Sequence, residues 1–595
     1  MNSKTTGFWF VLAATLDAFI FFFQFYFHPP AAGVKKILPG LRTQSITSVQ
    51  IIPVGAPEIR ADRTNDSWTL SKPIIYPAQS AAIEGLLGAL QKLTPATRIS
   101  ASELRKNHAD SEFGFDPPQL SVVLESDDNR RELQIGNKTA PGDQVFVRVV
   151  GTDGAFVTDV GWLKLIPQAA NDWRDTTLIN VAANHFGAIL LTNGGKGIVI
   201  ELHQNPTNHL WRMTRPLQSR ADSQRITDAL QHLQAARVSQ FVNDDPKADL
   251  SAYGLQPADL DLWLGHDTNF SAALHFGKSP TNDSTQIFAK RENWNAIVTT
   301  AADPLSPWRG SVNDFRDPHL LELIAPVAEI EMRGAGTNHF TLQRQGSNNW
   351  LVAGETFPVD AGSVQQFIKT LTDLRVAGFV KDVVTAADLQ NYGLATPARQ
   401  IILRSAAGDS NAVIAQLSFA VQTNGIFVYD RNFIYSITPE DFNRLPEAGL
   451  EFRERRIWNF DETNVAQITL RQNGKTRVMI HNGINRWSLA AGSQGIINPP
   501  AIEEIAHRFG KLTAAGWVAR NLAAPEKLGF NTNNLQITIE LKNGEKRTVD
   551  FGAPISNQTA LATVTLDGER WTFVFPLVLY QYVVTYLTIP ANGRG

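Results

Sequence analysis

The apolar and polar residues of the chain follow one pattern that occurs four times, about 140 residues apart. Each copy begins with short stretches of alternating polarity, which predict strands. A longer stretch follows in which apolar residues recur three or four positions apart, which predicts an amphipathic helix. In the third copy the apolar residues from Val364 to Leu374 fall on one helical face. The predicted helices are Ala78–Leu93, Ser223–Leu233, Ala361–Leu374 and Pro500–Leu512.

Three kinds of marker residue keep the same register through the copies. A tryptophan opens each copy: Trp68, Trp211, Trp350 and Trp487. A glycine between two apolar residues follows each helix: Gly114, Gly254, Gly393 and Gly529. An aromatic–arginine–acid triplet closes the first three copies, with the arginines Arg174, Arg316 and Arg453. Several markers in one register predict tandem repeats with the period of a domain.

These patterns predict an α+β fold with an N-terminal transmembrane helix and four tandem repeats, each an antiparallel β-sheet with an amphipathic helix. The predicted segments are a short N-terminal tail (1–6), a transmembrane anchor (7–27), a linker (28–44) and repeats 1 to 4 (45–181, 182–324, 325–461 and 462–595).

The apolar run Gly7–Phe27 has 21 residues, which as a helix would span about one hydrocarbon core. The alternative is a cleaved signal peptide. We favour an uncleaved anchor, because the run is longer than a signal-peptide core and lacks a small-residue cleavage site at its end. Basic residues flank both ends, so charge leaves the orientation open. The short tail and the absence of cysteine favour a body outside the cytoplasm, at a bacterial inner membrane.

Two features of the apolar segments leave alternatives open. Asp17 lies near the middle of the first run, where a carboxylate costs a few kcal/mol. It is either a contact with a partner membrane protein or a tolerated polar residue. The second apolar run, Trp571–Ile589, is interrupted by Pro576 and Gln581. We therefore predict a strand and a buried helix there in preference to a membrane span or partner surface.

Composition excludes several classes of function. Net charge is −3 with 19% charged residues, so nothing indicates a nucleic-acid partner. The absence of cysteine excludes disulfides, thiol nucleophiles and thiolate metal sites. The sequence has no HExxH, phosphate-loop or dinucleotide-binding motif. We therefore expect no cofactor, no metal and no enzymatic activity.

The remaining candidates for chemistry favour structural roles. His203 and His209 flank a loop and are more consistent with solvated residues than with metal ligands. The acidic residues Asp244, Asp245, Asp259 and Asp261 occur near turns in one repeat only, which favours solvated turn carboxylates over a calcium site or an acid–base pair.

The repeated tryptophans, glycines and arginines also favour structural roles. The tryptophans are able to stack on sugars, but their place before the core helix favours packing. The glycines are suited to a positive φ or to close packing. The arginines are able to bind an anionic ligand, but a carboxylate near each of them favours pairing between repeats.

The order of these motifs resembles the DUF4340 family of bacterial proteins. The resemblance rests on Trp350-Leu351-Val352, Phe379-Val380, Tyr392-Gly393-Leu394-Ala395-Thr396-Pro397 and Phe315-Arg316-Asp317. It covers about residues 45–595 and is weakest in the first and fourth copies. The family has no established activity. The resemblance implies a membrane-anchored extracytoplasmic protein associated with ABC-transporter or gliding-type auxiliary components.

From this we expect a non-catalytic, membrane-anchored scaffold or accessory subunit of an envelope complex. Its expected partner is an integral-membrane protein such as an ABC-transporter permease or auxiliary subunit. The alternative is a module that binds envelope glycan or another surface polymer in clefts between repeats.

Overall fold

The computed structural model describes residues 14–17, 19 and 35–588, except 107–108, 128, 195–196, 335–338, 347, 408–409, 532–533 and 557–558. In this part of the chain the strands form four antiparallel sheets, of nine, nine, eight and eight strands. One sheet lies in each repeat. The tandem repetition predicted from the markers is confirmed.

Repeat 1 contains nine strands and three helices. The strands are β1 Ile46–Pro53, β2 Ile59–Thr64, β3 Ser67–Lys72, β4 Tyr76–Pro77, β5 Thr97–Ile99, β6 Leu120–Ser126, β7 Asn129–Lys138, β8 Gln144–Val149 and β9 Ala155–Asp159. The helices are α1 Ser80–Lys92, α2 Ala101–Leu104 and α3 Ala109–Glu112. In β8 every second residue is buried, as expected for a strand with one face on the core.

Repeat 2 has the same arrangement. Its strands are β10 Ala188–Asn193, β11 Ile198–Gln204, β12 Trp211–Arg215, β13 Ser219–Arg220, β14 Val238–Asn243, β15 Leu260–His266, β16 Asn269–Phe276, β17 Gln286–Arg291 and β18 Ile297–Ala301. Its helices are α4 Val181–Asn184 and α5 Ser223–Ala235. Asp222 caps α5, because its carboxylate accepts a hydrogen bond from the Arg225 backbone N–H.

In the described part of repeat 3, the two-residue strand that precedes the helix in repeats 1 and 2 is missing. Its strands are β19 Val327–Gly334, β20 His339–Gln345, β21 Asn349–Val352, β22 Gly378–Lys381, β23 Arg399–Ala407, β24 Ser410–Gln422, β25 Gly425–Tyr429 and β26 Ile434–Ile437. Its helices are α6 Ala361–Asp373, α7 Ala386–Asn391 and α8 Pro439–Asn443. The predicted apolar face of α6 is confirmed by burial of Val364, Phe367 and Leu371.

Repeat 4 also has eight strands. They are β27 Val465–Gln472, β28 Lys475–Gly483, β29 Arg486–Leu489, β30 Gly516–Arg520, β31 Gln536–Leu541, β32 Lys546–Ser556, β33 Thr559–Leu566 and β34 Glu569–Val574. The helices are α9 Pro499–Gly510 and α10 Leu577–Tyr582, and a π-helical turn, Val583–Leu587, continues α10. The strand and the helix predicted after Trp571 are present, but only one face of the helix is buried. Leu579 is buried, whereas Val578 on the same helix is half exposed.

All four sheets share one topology. The strands before the long helix form a meander, and the first of them pairs with the second strand after the helix, as β1 pairs with β6. The strand directly after the helix crosses to the far edge and pairs with the last strand of the sheet, as β5 pairs with β9. This crossing places β14 and β30 on an edge of their sheets.

The predicted α+β fold anchored by a transmembrane helix is wrong. The described chain is mostly β, and the long helices α1, α5, α6 and α9 each have only 12 or 13 residues. Among the described residues, no helix is both long enough and apolar enough to cross a bilayer. Apart from 14–17 and 19, the apolar run 7–27 lies outside the described residues.

The chain divides after Arg316 into two compact units. Unit 1, Met1–Arg316, contains the sheets of repeats 1 and 2, and unit 2, Asp317–Gly595, contains those of repeats 3 and 4. Unit 1 has a separate hydrophobic core in each repeat. In unit 2 one continuous core runs from Leu320 to Leu587 through both repeats, with a small satellite cluster around Leu394.

Candidate functional site

Each unit has a joint at which its two repeats meet. Joint 1–2, in unit 1, is formed where the chain leaves repeat 1 through a single 3₁₀ turn, Ala170–Trp173, and an extended segment. Three backbone hydrogen bonds connect this segment to the two repeats: Gln79 N to Trp173 O at 2.7 Å, Asp175 N to Pro77 O at 2.8 Å and Val238 N to Thr176 O at 2.7 Å. The first two hold repeat 1, and the third attaches the first residue of β14 in repeat 2.

Arg174 occupies the centre of joint 1–2 and is fully buried. Its Nη1 and Nη2 donate to the two carboxylate oxygens of Asp244, at 2.9 and 2.6 Å, and Nη1 also donates to Asn171. Aromatic rings cover the guanidinium: Cζ lies 4.2 Å from the ring centroid of Tyr76 and 3.7 Å from that of Phe241. A two-pronged ion pair between aromatic faces is the geometry that favours arginine over lysine.

The residues around Arg174 come from both repeats, so the arginine links them. Tyr76 belongs to repeat 1, yet it packs in the hydrophobic core of repeat 2, where its ring contacts Phe241 and Trp294. Its hydroxyl accepts a hydrogen bond from Arg291 of repeat 2 at 2.5 Å. The Asp244 side chain remains 40% exposed, so the carboxylate closes the joint at the solvent boundary.

Joint 3–4, in unit 2, repeats the same backbone connections. The corresponding hydrogen bonds are Asp360 N to Phe452 O at 2.8 Å, Glu454 N to Pro358 O at 2.8 Å and Ala514 N to Arg455 O at 2.7 Å. A β-bridge joins Val359 to Arg453, just as one joins Ala78 to Arg174 in joint 1–2. The backbone therefore places Arg453 and Arg174 at equivalent positions.

The surroundings of Arg453 differ from those of Arg174. Its Cζ lies 4.0 Å from the ring centroid of Trp571, 5.1 Å from that of Trp517 and 5.7 Å from that of Phe357. Within the described residues no carboxylate lies within 4 Å of its guanidinium, and no side chain accepts a hydrogen bond from it. Burial lowers the pKa of Arg453 below its ordinary value, although Asp567 and Glu569 oppose this at longer range.

The ion pair of joint 3–4 is formed by other residues. Arg520 stands three positions after Trp517, where Asp244 stands three positions after Phe241. Its two terminal nitrogens reach the two carboxylate oxygens of Glu355, with Nη1 at 2.6 Å and Nη2 at 3.2 Å. Nη1 of Arg520 also lies 3.6 Å from Glu569. Joint 3–4 thus links repeat 3 to repeat 4 with the charges reversed.

The third marker arginine, Arg316, is the last residue of unit 1. It is buried, its backbone bridges Ala221, and its Nη1 donates to Asn313 at 3.3 Å. Arg225 lies over the adjacent Phe315 ring, 5.8 Å from its centroid. Within unit 1, Arg316 therefore holds the same place beside the helix α5 as Arg174 holds beside α1.

A groove of about 480 Å³ lies beside joint 3–4. Its walls are the polar face of α6 with Gln366, the turn around Glu451, and the edge strand β30 with Trp517. The carboxylate of Glu451 accepts hydrogen bonds from the backbone N–H groups of Glu447 and Ala448, so it is used within the turn. The exposed Arg455 also lines the groove.

The four marker tryptophans are buried, with at most 6% of each residue exposed, so their faces are not available to a sugar. Two of them bind a glutamate of the following helix through the indole nitrogen: Trp68 donates to Glu84 at 2.8 Å and Trp487 to Glu503 at 2.7 Å. In repeat 3 the residue at the glutamate position is Gln366, and the buried Trp350 indole nitrogen has no hydrogen-bond partner within the described chain.

The four marker glycines adopt a left-handed backbone, with φ of +76°, +69°, +70° and +76° at Gly114, Gly254, Gly393 and Gly529. Close packing adds a second requirement. A Cβ on Gly254 would lie 2.8 Å from the backbone nitrogen of Lys278, so a side chain does not fit. These glycines turn the chain from the helix half of a repeat into the meander that follows.

Asp17 lies in a short helical stretch, residues 14–17, and is exposed. Its predicted contact with a membrane partner stays a prediction.

The histidines predicted to be solvated have local structural roles. His203 binds Glu201 at 2.8 Å, and His209 is exposed at a turn with φ of +57°. No cluster of three or more possible metal ligands occurs among the residues that the structure describes.

Sequence reasoning missed two uses of carboxylates. The interpretation as solvated turn carboxylates is wrong for Asp261, which lies within β15, and incomplete for Asp244, which is exposed after β14 but has a buried partner. Asp244 holds Arg174, and Asp261 holds His275, whose Nδ1 lies 2.5 Å from its carboxylate while Nε2 lies 2.6 Å from Glu292. The hydrogen bond that His275 donates to Asp261 is the largest cause that raises the pKa of His275, and the bond to Glu292 adds to it. Asp261 and His275 are directly paired across β15 and β16, which strand alternation alone did not reveal.

Comparison with known proteins identifies the family. A family model described as a domain of unknown function, DUF4340, matches residues 68–257, 211–397 and 350–533. Each match begins at a marker tryptophan, and the first and third each span one of the two joints. No curated protein and no solved structure matches the chain. Because the matches together run from residue 68 to residue 533, well over half of the chain, the protein belongs to the DUF4340 family.

Proposed function

We propose that this chain is a non-catalytic scaffold or accessory subunit of a cell-envelope complex. The observation that carries the proposal is the construction of the joints. Within each unit, a buried arginine and three backbone hydrogen bonds fix one repeat to the next, so that their surfaces keep a constant spacing. A fixed spacing of similar modules is what a scaffold needs in order to hold partner proteins in register.

The partner class we propose is an integral-membrane protein such as an ABC-transporter permease or auxiliary subunit. The resemblance to the family suggests this class, and the apolar run Gly7–Phe27 supports a location at a bacterial inner membrane. The absence of cysteine favours a body outside the cytoplasm. Asp17 within that run is the residue we propose as a contact, because a carboxylate there gains from a polar partner.

The test is a crosslinked pull-down of the full-length protein from detergent-solubilised native membranes, analysed by mass spectrometry. We expect a protein partner whose recovery falls when Asp17 is replaced by leucine and is retained with the Asp17→Asn control, which keeps the shape and polarity of the side chain. Recovery of the same proteins with both variants would remove Asp17 from the proposal. A pull-down without any protein partner would contradict the scaffold role itself.

The groove beside joint 3–4 favours one second candidate, a module that binds an envelope glycan or another surface polymer. Ser363 and Gln366 line the groove together with the exposed Val518 of β30, a mixture of polar and apolar side chains that suits a hydroxylated chain. We would measure sedimentation of the full chain with isolated envelope polymer, comparing wild type with Gln366→Leu. Co-sedimentation that Gln366→Leu abolishes supports this function, and equal sedimentation of both proteins contradicts it.

A further inference from the structure

Arg453 is a buried cation whose hydrogen-bonding edge has no protein partner in the described part of the chain. The residue is 5% exposed, and its Nε is buried without a hydrogen bond. Aromatic rings cover the guanidinium, with the Trp571 centroid 4.0 Å from Cζ. A ring face stabilises a cation, but it does not accept the in-plane N–H bonds of the guanidinium. Those bonds call for an oxygen in the plane of the group.

Joint 1–2 shows which group complements an arginine at this position. There Asp244 approaches in the plane of the Arg174 guanidinium and forms two bonds of 2.9 and 2.6 Å. The carboxylate comes from the solvent side, since its side chain stays 40% exposed. Another molecule would reach Arg453, the equivalent arginine of joint 3–4, from the same side.

Among the described residues of repeat 4, no carboxylate takes this position. The residue at the position of Asp244 is Arg520, which turns to Glu355. Glu569 lies 3.6 Å from Arg520 and so balances that second cation. Asp567 acts on Arg453 through its charge and forms no ion pair with it. Among the described residues, the two terminal nitrogens of Arg453 therefore have no carboxylate partner.

We propose that Arg453 is a receptor for a carboxylate of another molecule, which binds in the position that Asp244 occupies in joint 1–2. Trp571 and Trp517 pre-position the guanidinium, so little conformational freedom is lost on binding. The carboxylate has two possible sources, the side chain of an aspartate or glutamate in a partner protein and a small free acid. The inference concerns one guanidinium and does not depend on the scaffold role.

The test uses acetate as the probe and local hydrogen exchange as the readout. Full-length protein is compared in sodium acetate and in sodium chloride of equal ionic strength, and exchange is followed by mass spectrometry in β30, which carries Trp517. We expect exchange in β30 to slow about tenfold when acetate is about tenfold above its Kd. Arg453→Gln should abolish the effect. An equal rate in both salts, or an equal acetate effect in the variant, would overturn the proposal.

Joint 1–2 provides the matched control. In the wild type, acetate should leave exchange in β14 unchanged, because Asp244 already occupies Arg174. Asp244→Ala should make β14 respond to acetate, since a small acid then replaces the missing side chain. An acetate response of β14 in the wild type would show a general salt effect and would count against a specific site at Arg453.

A second measurement does not depend on the folding of the Arg453→Gln variant. In wild-type protein labelled with 5-fluorotryptophan, the ¹⁹F resonance of Trp571, assigned by Trp571→Phe, should shift with acetate in a saturable manner. Acetyl-Gly-Asp-Gly-amide then distinguishes the two sources of the carboxylate, and its asparagine analogue, which has no carboxylate, is the control. Tighter binding of the aspartate peptide than of acetate indicates a partner protein, and the reverse order indicates a small acid. No saturable shift with either probe contradicts the proposal.

Discussion

Joints 1–2 and 3–4 place an arginine at the same backbone position but surround it with different side chains. In joint 1–2 the two repeats keep separate cores, and Arg174 is neutralised by Asp244. In joint 3–4 the core is continuous, and Arg453 lies among aromatic residues. The Trp571 ring there packs edge-on against Phe357 and Trp517, with centroids 5.6 and 5.5 Å apart.

The backbone of the joint fixes where the arginine lies, while the surrounding side chains decide whether a carboxylate neutralises it. The backbone bonds agree within 0.1 Å between the two joints, at 2.7 to 2.8 Å. The residue three positions after the covering aromatic is an aspartate in one case and an arginine in the other. The ion pair therefore contributes much of the stability of joint 1–2, where the two cores are separate. In joint 3–4, where the core is continuous, burial of apolar side chains contributes a larger share.

The largest expected effect is that of Asp244→Ala on unit 1. The substitution leaves Arg174 buried without its carboxylate, and breaking a buried pair from the exposed side costs about 3 kcal/mol. Hydrogen exchange in β14 should therefore accelerate about a hundredfold, while exchange in β30 of unit 2 stays unchanged. An acceleration below about fivefold would show that the aromatic rings alone hold Arg174, as they hold Arg453.

The next prediction compares the two arginines directly. Arg174→Met removes two charged hydrogen bonds and leaves a half-exposed Asp244, which we expect to cost about 2 kcal/mol. Arg453→Met removes a desolvated cation that has no carboxylate partner in the described chain, so an apolar replacement of similar length should cost less than about 1 kcal/mol. Urea unfolding of both variants checks the order, and equal losses would erase the distinction between the joints.

The third prediction separates the two units by pH. Asp261 and Glu292 raise the pKa of His275 above its ordinary value of 6.5. A raised folded-state pKa contributes stability that is complete below the unfolded pKa and is lost as pH rises through the folded pKa. Unit 1 should therefore lose about 1 kcal/mol between pH 6 and pH 9, the scale of hydrogen bonds to a charged group.

The position equivalent to His275 in unit 2 provides the control for this pH effect. There Asp550 accepts hydrogen bonds from Gln536 at 2.6 Å and from Arg570 at 3.2 Å, and no histidine takes part. Thermal melts at several pH values should show the loss in unit 1 and its removal by His275→Gln. A loss that persists in His275→Gln would assign the pH dependence to other groups.

Much of the repeat architecture was predictable, because markers such as Trp350 and Gly393 and the helical stripe of α6 are local in sequence. The extent of the β structure was underestimated. A sheet was predicted in each repeat, but its eight or nine strands include short ones such as β4 and β13, which have two residues each and show no alternation.

The joints were predictable only in part. Arg174 and Asp244 stand 70 residues apart and meet only after β14 has crossed to its edge of the sheet. A pair at that separation leaves no local signal. The position of the arginine could therefore be found from the repeat register, whereas its partner could not.

The smallest expected effect is that of Glu355→Gln in joint 3–4. Arg520 and Glu355 are 35% and 27% exposed, so water screens the pair, and Glu569 remains within 3.6 Å of Arg520 after the substitution. We expect a loss of about 0.5 kcal/mol, as for ordinary surface pairs. The matched variant Glu569→Gln should cost less still, and the double variant should lose more than the sum, since Arg520 then has neither acid. Urea unfolding at low and high salt measures these losses. If Glu355→Gln costs as much as Asp244→Ala, the ion pair closes joint 3–4 as firmly as joint 1–2, and the continuous core is not what distinguishes them.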